Sequence, residues 1–261
     1  MDVPSAPLHF PGSPMPDSTA RRKFRALARS APWLSTSLNI EIAIPEELSD
    51  PPRGLAGTVT AKLRQREAIV VHDAAGNLVF QDETFSAQRS RDYVAATSSS
   101  WALPSTLITP VYTADHLVLR RPEIAGFHGL MPLDYWAAVL DPVEIAGSEP
   151  AAHDLAFDHP TYIHELSEIS YEGRPGIAAV LSAGHTYQPA LADFALVPAD
   201  TRTLLILDQA TGVVLLRQVL TGSGPARTAP DLKLRVLAQD EYYINSHFQK
   251  VHWLDQPVVR S

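Results

Sequence analysis

Imidazole and carboxylate side chains are concentrated between residues 152 and 165, where the sequence reads AHDLAFDHPTYIHE. Groups of these types can hold a metal ion or exchange protons near neutral pH. The spacing fits no helical metal motif, because His164-Glu165 lacks the second histidine of a zinc-protease helix. We therefore interpret the segment as a polar loop. A His/carboxylate hydrolase built on the region from His153 to His164 is kept as an alternative.

Two other short motifs have partial similarity to known sites. Ser182-Ala183-Gly184-His185 holds a serine and a histidine, but it lacks the strand, sharp turn and helix of a hydrolase nucleophile. Gly222-Ser223-Gly224-Pro225 is followed by no Lys-Ser or Lys-Thr pair and opens no helix, which indicates a turn rather than a phosphate loop. The sequence therefore predicts no catalytic residue, no metal site and no cofactor, and it favours a non-enzymatic protein.

The most regular structural pattern is a β-hairpin over residues 201–221. Both arms are rich in β-branched and aliphatic residues, as strands prefer. Asp208 at the turn can accept hydrogen bonds from the following backbone amides, and Gly212 tolerates a positive φ. Both faces of the arms are apolar near the turn, whereas a one-sided strand would alternate apolar with polar residues. The hairpin is therefore expected to be covered on both sides, and one cover could be a ligand cavity.

Eight residues are predicted to line such a cavity. Aromatic residues cluster in the middle third of the chain, where they could face a ligand or simply fill the core. Alternation along the hairpin arms also places three leucines on one face. The predicted ligand-binding residues are Trp101, Tyr112, Phe127, Tyr135, Trp136, Leu205, Leu207 and Leu215.

Alternation of apolar and polar residues predicts about nine strands, many of them joined by short turns. Leu38, Ile40 and Ile42, for example, alternate with Asn39 and Glu41. Two or three helices are expected, one beginning at Asp17 or Ser18 and ending near Ala31, and another over 132–140. Consecutive strands with few helices indicate an antiparallel α+β architecture.

Proline content divides the chain. Five prolines within residues 1–16 block both helices and strand ladders, so these residues are predicted to form a flexible arm. Residues 17–254 are expected to form a single domain, and 255–261 a frayed tail.

Overall composition excludes several classes of protein. The net charge of −8 argues against a nucleic-acid binder, which would carry a basic face. The chain has no cysteine, which removes disulfides, thiolate chemistry and a lipid-modified cysteine. No signal peptide and no transmembrane segment are apparent, so a cytoplasmic location is expected.

The first predicted helix is strongly basic. Its apolar stripe contains Phe24 and Leu27, and its other residues include Arg21, Arg22, Lys23, Arg25 and Arg29. Such a face usually lies in solvent on a docked helix. The alternative is a partner surface for an acidic protein or an anionic membrane.

Two adjacent hairpin motifs carry a family resemblance. The first joins strands through Glu172-Gly173-Arg174-Pro175, and the second through Asp208-Gln209-Ala210-Thr211-Gly212. This pair resembles the bacterial lipoprotein-carrier superfamily, which includes the periplasmic lipoprotein carrier and the periplasmic sigma-factor regulator. The sequence also resembles actinobacterial proteins in which an Ala-Pro-Trp element, here 31–33, precedes a strand. The resemblance implies a curved antiparallel sheet, an incomplete β-barrel, with helices packed on it and an apolar cavity that can hold an acyl chain.

These observations leave three hypotheses for the function. The first is a non-enzymatic protein that binds an apolar or acyl-chain ligand in the concave face of the sheet. The second is a protein-interaction or regulatory module without a small ligand, using the basic helix from Arg21 to Arg29. The third is the hydrolase already described, and the absence of a complete motif places it last.

Overall fold

The computed structural model describes residues 18–44, 57–83, 109–122, 135–147, 158–190, 194–222 and 231–249. These ranges contain two α-helices, α1 (Ser18–Ser30) and α2 (Tyr135–Leu140). The strands are β1 (Ser37–Ile44), β2 (Gly57–Arg64), β3 (Ala68–His72), β4 (Leu78–Asp82), β5 (Val111–Tyr112), β6 (Val118–Arg120), β7 (Thr161–Tyr171), β8 (Arg174–Ala183), β9 (Thr201–Asp208), β10 (Val214–Gly222) and β11 (Leu232–Gln239). The predicted arm and tail lie outside the described residues, and the single domain over 17–254 stays a prediction.

Nine of these strands form one curved, open antiparallel sheet, in the order β4-β3-β2-β1-β11-β10-β9-β8-β7. Neighbours along the chain are neighbours in the sheet, except where β1 pairs with β11 and so joins the first four strands to the last five. The predicted α+β fold with an incomplete barrel is thereby confirmed. β5 and β6 form a separate two-stranded sheet, which lies against α1.

Over β1, β2 and β11, one face of the sheet carries the core. In the first strands, Ile42 pairs with both Val59 and Leu234, and all three side chains are buried. The residues between them, such as Glu41 and Arg235, point to the opposite face, where they form a salt bridge. Phe24, Leu27 and Ala28 of α1 belong to the same core cluster as these buried strand residues. The predicted apolar stripe of α1 therefore packs on the sheet.

The β9–β10 hairpin is buried on both faces, as predicted. Leu204, Leu205, Ile206 and Leu207 are consecutive in β9, and each is at most 1% exposed. In β10 the register shifts between Val214 and Leu216, which leaves Leu215 inside a bulge. Leu215 is buried, but simple alternation no longer assigns it to the face of Leu205 and Leu207.

The two turn motifs contact each other. Arg174, at the start of β8, donates two hydrogen bonds of 2.9 Å to the carboxylate of Asp208, at the end of β9. Asp208 is fully buried and also accepts from the backbone N–H and the hydroxyl of Thr211, at 2.9 and 2.6 Å. The expected fold-back of Asp208 onto its own turn is confirmed. The sequence did not indicate the bidentate bond between the two turns.

Gly212 lies where α1 approaches this turn. Its φ is +72°, and a Cβ atom there would stand 2.8 Å from the carbonyl oxygen of Leu27 and 3.1 Å from the Cα of Ala31. Only glycine therefore meets both conditions at this position, the left-handed backbone and the close approach of the helix.

The expectation of a solvated basic face on α1 is wrong for two of its arginines. Arg25 and Arg29 are 5% and 1% exposed. Arg25 Nη2 donates to the carbonyl oxygen of Thr161 at 2.9 Å, and Arg29 Nε donates to that of Val118 at 3.1 Å. These carbonyls belong to buried residues at the starts of β7 and β6, so the two arginines donate to buried backbone acceptors. Only the first part of the helix keeps its basic side chains accessible.

Candidate functional site

A cavity with a volume of about 640 Å³ lies between the first half of α1 and the start of β7. The helix contributes Ser18 and three arginines, and the strand side contributes residues 158–159 and 161–164. α1 is placed over this end of the strand by the hydrogen bond from Arg25 to Thr161, and Thr161 Oγ1 in turn donates to the carbonyl oxygen of Ile145 at 2.7 Å. The cavity therefore combines the basic helix with the histidine-rich segment, which are joined by a contact between residues 136 positions apart in the sequence.

The lining is positively charged. In the described part of the lining, Arg21, Arg22 and Arg25 are accompanied by one carboxylate, that of Asp158. Asp158 is largely exposed and lies 3.4 Å from the imidazole of His185, which is equally exposed. The negative charge therefore stands at the solvent side, while the guanidinium groups occupy the helix wall.

The pKa values of the two histidines of the cavity are both lowered. Burial lowers the pKa of His159 to about 4, and the neighbouring Arg25 and Arg29 lower it further against a small opposing effect of Asp158. Burial also lowers the pKa of His164, with Arg202 acting in the same direction. Burial is the larger cause for both histidines, and the nearby arginines act in the same direction.

A histidine–serine pair lies at the edge of the cavity. The β7–β8 register shifts between Ile163 and Glu165, so His164 occupies a bulge and its side chain is re-aimed. His164 Nε2 lies 2.8 Å from Ser182 Oγ. A histidine in contact with a serine can activate it as a nucleophile when a third group, most often a carboxylate, orients the imidazole. Among the residues described here, no carboxylate hydrogen bonds to His164.

A second cavity of about 360 Å³ lies on the other side of α1, against the β5–β6 hairpin. Its lining includes Lys23, Ala26 and Arg29 from the helix, with Leu117 and Leu119 from the hairpin. Arg22 borders both cavities.

A buried polar network holds the connection between β8 and β9. Glu144 is 2% exposed and accepts from the hydroxyl of Tyr187 at 2.5 Å and from the backbone N–H groups of Ala190 and Leu196 at 2.7 and 2.8 Å. Arg217 Nε donates to the carbonyl oxygen of Leu196 at 3.2 Å. Burial raises the pKa of Glu144 despite these donors. In the described ranges, the partners of the carboxylate all belong to the 184–197 connection, so the network ties this connection to Glu144.

The eight residues predicted to bind a ligand are dispersed. Trp101 and Phe127 lie outside the described residues. Tyr112 is 42% exposed in β5, and the backbones of Tyr135 and Trp136 form the first turn of α2. Leu205, Leu207 and Leu215 are buried, and they line neither of the two cavities. Their role in binding stays a prediction.

The sequence analysis did not predict that α1 and residues 158–164 lie around the same cavity. Both segments stood out separately, one by its arginines and one by its histidines. The link between them is a hydrogen bond from a side chain to a strand carbonyl, for which no local pattern exists.

The comparisons with known proteins add no identification. No family model matches the chain, and no curated protein matches it.

The described ranges contain no group of three or more histidine, aspartate or glutamate side chains that could hold a metal ion. In the same ranges, no helix is long and apolar enough to cross a membrane.

The low pKa of His159 predicts an acid-sensitive fold. The unfolded chain binds a proton at this histidine below pH ~6.5, whereas the folded chain does not until pH falls to about 4. Between these values the unfolded state binds more protons, so stability is lost as pH falls through this window. We expect His159→Gln to flatten the dependence of the unfolding free energy on pH between 6.5 and 4, measured by urea titration.

His116→Asn is a suitable control for this measurement. His116 is exposed in the β5–β6 turn with a φ of 59°, a conformation that asparagine tolerates. Its replacement is expected to leave the slope of the wild-type profile unchanged. An unchanged slope in His159→Gln would contradict the assignment of the acid sensitivity to His159.

Proposed function

We propose that the protein is a non-enzymatic binding protein that holds an apolar or acyl-chain ligand between α1 and the concave face of the sheet. The observation that carries the proposal is the 640 Å³ cavity between α1 and β7. Sites for small molecules typically measure ~300–1,000 Å³ and combine apolar walls with a few polar groups. Here Tyr162 and Ile163 supply apolar surface beside the arginines. The resemblance to lipoprotein carriers, which rests on the two hairpin motifs, agrees with such a role.

In the alternative of a protein-interaction module, the burial of Arg25 and Arg29 reduces the basic surface of α1 that a partner could contact. Arg22 and Lys23 are exposed and Arg21 is partly so, and these three residues are the part of α1 that could meet an acidic partner. A hydrolase has less support, because the His164–Ser182 pair has no orienting carboxylate among the described residues. A cytoplasmic location stays a prediction.

Native mass spectrometry after gentle extraction tests the proposal. We expect part of the protein to carry an additional mass that matches an apolar molecule, and the stripped protein to bind a fluorescent fatty acid. Ser18→Trp should place a bulky ring in the cavity from an exposed position at the start of α1, and it should weaken probe binding at least tenfold.

The matched control is Ser170→Trp, which adds the same ring at an exposed position of β7 away from the cavity. Both substitutions are at the surface, where the effect on stability is typically within ~0.5 kcal/mol. A clean apo mass together with no binding of the fatty acid would favour the interaction module instead.

A further inference from the structure

The arginines of the larger cavity differ in their hydrogen-bond and ion-pair partners. Arg25 donates to the carbonyl oxygen of Thr161 at 2.9 Å and serves the packing of α1. Arg21 and Arg22 form no ion pair with any carboxylate in the described ranges. The Nε of Arg21 is buried and has no hydrogen-bond partner among the described residues. A buried guanidinium donor without an acceptor is costly, so an acceptor supplied by a ligand would stabilise this arrangement.

The positive charge of this cavity contrasts with the negative net charge of the whole chain. The protein carries a net charge of −8, so a general positive field cannot explain three arginines in one cavity. Among the residues that the structure describes, the charged groups of the lining are three arginines and one aspartate, which together carry a net charge of +2. The aspartate is 73% exposed at the solvent side, whereas Arg25 and the Nε of Arg21 are buried. The inner wall is therefore complementary to a negative group.

We infer that the cavity between α1 and β7 binds an oxyanion, a phosphate or a carboxylate, through Arg21 and Arg22. This inference rests on the proposed function and deepens it, because it makes the ligand an anionic amphiphile rather than a neutral apolar molecule. The guanidinium fork matches the paired oxygens of such groups and holds them by charge-assisted hydrogen bonds. Tyr162 and Ile163, on the strand wall of the same cavity, are placed to contact the apolar part.

Three probes separate the contribution of the head from that of the tail. Inorganic phosphate supplies only the anion, decanol supplies only the chain, and decyl phosphate supplies both. Isothermal titration calorimetry, with each amphiphile below its micellar concentration, should give the tightest binding for decyl phosphate. We expect decanol to bind at least tenfold more weakly, since each hydrogen bond to a charged group contributes enough to change affinity by roughly tenfold or more.

The double substitution Arg21→Gln/Arg22→Gln tests the residues. We expect it to weaken decyl phosphate binding by about 10- to 100-fold and to leave decanol binding within twofold. Lys23→Gln is the matched control, because it removes one positive charge from the same helix at a residue that lines the smaller cavity instead. Its affinity for decyl phosphate should stay within twofold of the wild-type value.

The outcomes distinguish this inference from the proposed function. Equal affinity for decanol and decyl phosphate would overturn the oxyanion site and leave the apolar binder standing. Equal affinity for inorganic phosphate and decyl phosphate would keep the oxyanion site and overturn the binding of an apolar chain. No binding of any probe would overturn both, and a loss in Lys23→Gln as large as in the double variant would overturn the assignment to this cavity.

Discussion

Replacement of Arg174 by alanine is expected to destabilise the protein by about 3 kcal/mol, the lower end of the cost of breaking a buried ion pair. The substitution leaves the carboxylate of Asp208 fully buried without its bidentate partner. The lower end applies because Arg174 itself is 27% exposed, so water can partly replace it. Urea denaturation with an unchanged m-value would measure the loss.

A double-mutant cycle isolates the contact between the two turns. Asp208→Asn removes the charge but keeps an oxygen that can accept from Thr211. The loss of unfolding free energy in the double variant Arg174→Ala/Asp208→Asn should therefore be smaller than the sum of the two single losses, by about 1–3 kcal/mol. Lys23→Ala is the reference for an ordinary surface pair, because its ion pair with Glu168 is exposed on both sides. Its cost should stay below ~1 kcal/mol. Additive losses in the cycle would show that the turns are not coupled through this bond.

Gly212→Ala should have a comparable effect, about 2–5 kcal/mol, because two costs combine. A left-handed backbone costs a residue with a Cβ about 1–2 kcal/mol. The added methyl group would also stand 2.8 Å from the carbonyl oxygen of Leu27, so α1 must shift away from the hairpin, an overpacking cost of about 1–3 kcal/mol.

Gly173→Ala separates these two costs. Gly173 has a similar φ of +80°, but a Cβ there would meet no atom within 4 Å. Its substitution should cost only about 1–2 kcal/mol for the backbone. The difference between the two variants then measures the close approach of α1 to the β9–β10 turn. If the two variants lost equal stability, the helix would not be held against the hairpin at Gly212.

The sequence allowed the strands and the fold class to be predicted because each strand carries its own local pattern. The alternation of Leu38, Ile40 and Ile42 predicts β1, and the apolar arms around Asp208 and Gly212 predict the β9–β10 hairpin. These patterns are set by which face of a strand is buried, a property of neighbouring residues.

The candidate site was less predictable because it depends on contacts between distant segments. Nothing near Arg25 in the sequence indicates that it donates to Thr161, or that His164 is re-aimed by a bulge. Arginine on a helix is usually solvated, so local reasoning assigned Arg25 and Arg29 to the surface. Their partners are backbone carbonyls, which every residue has, so the residue types in the sequence do not indicate these contacts.

The pairing of β1 with β11 has a consequence for how the chain is made. Roughly 190 residues separate Ile44 from Leu232. Because ribosomes add about 5–20 residues per second, β11 is synthesised about 10–40 s after β1. During that time the open edge of β1 can pair with the strands of other nascent chains. Contacts at such long sequence separation also slow folding after release. We therefore expect a truncated chain that ends before β11 to aggregate, and chaperones to matter most for the final step in which the last strand enters the sheet.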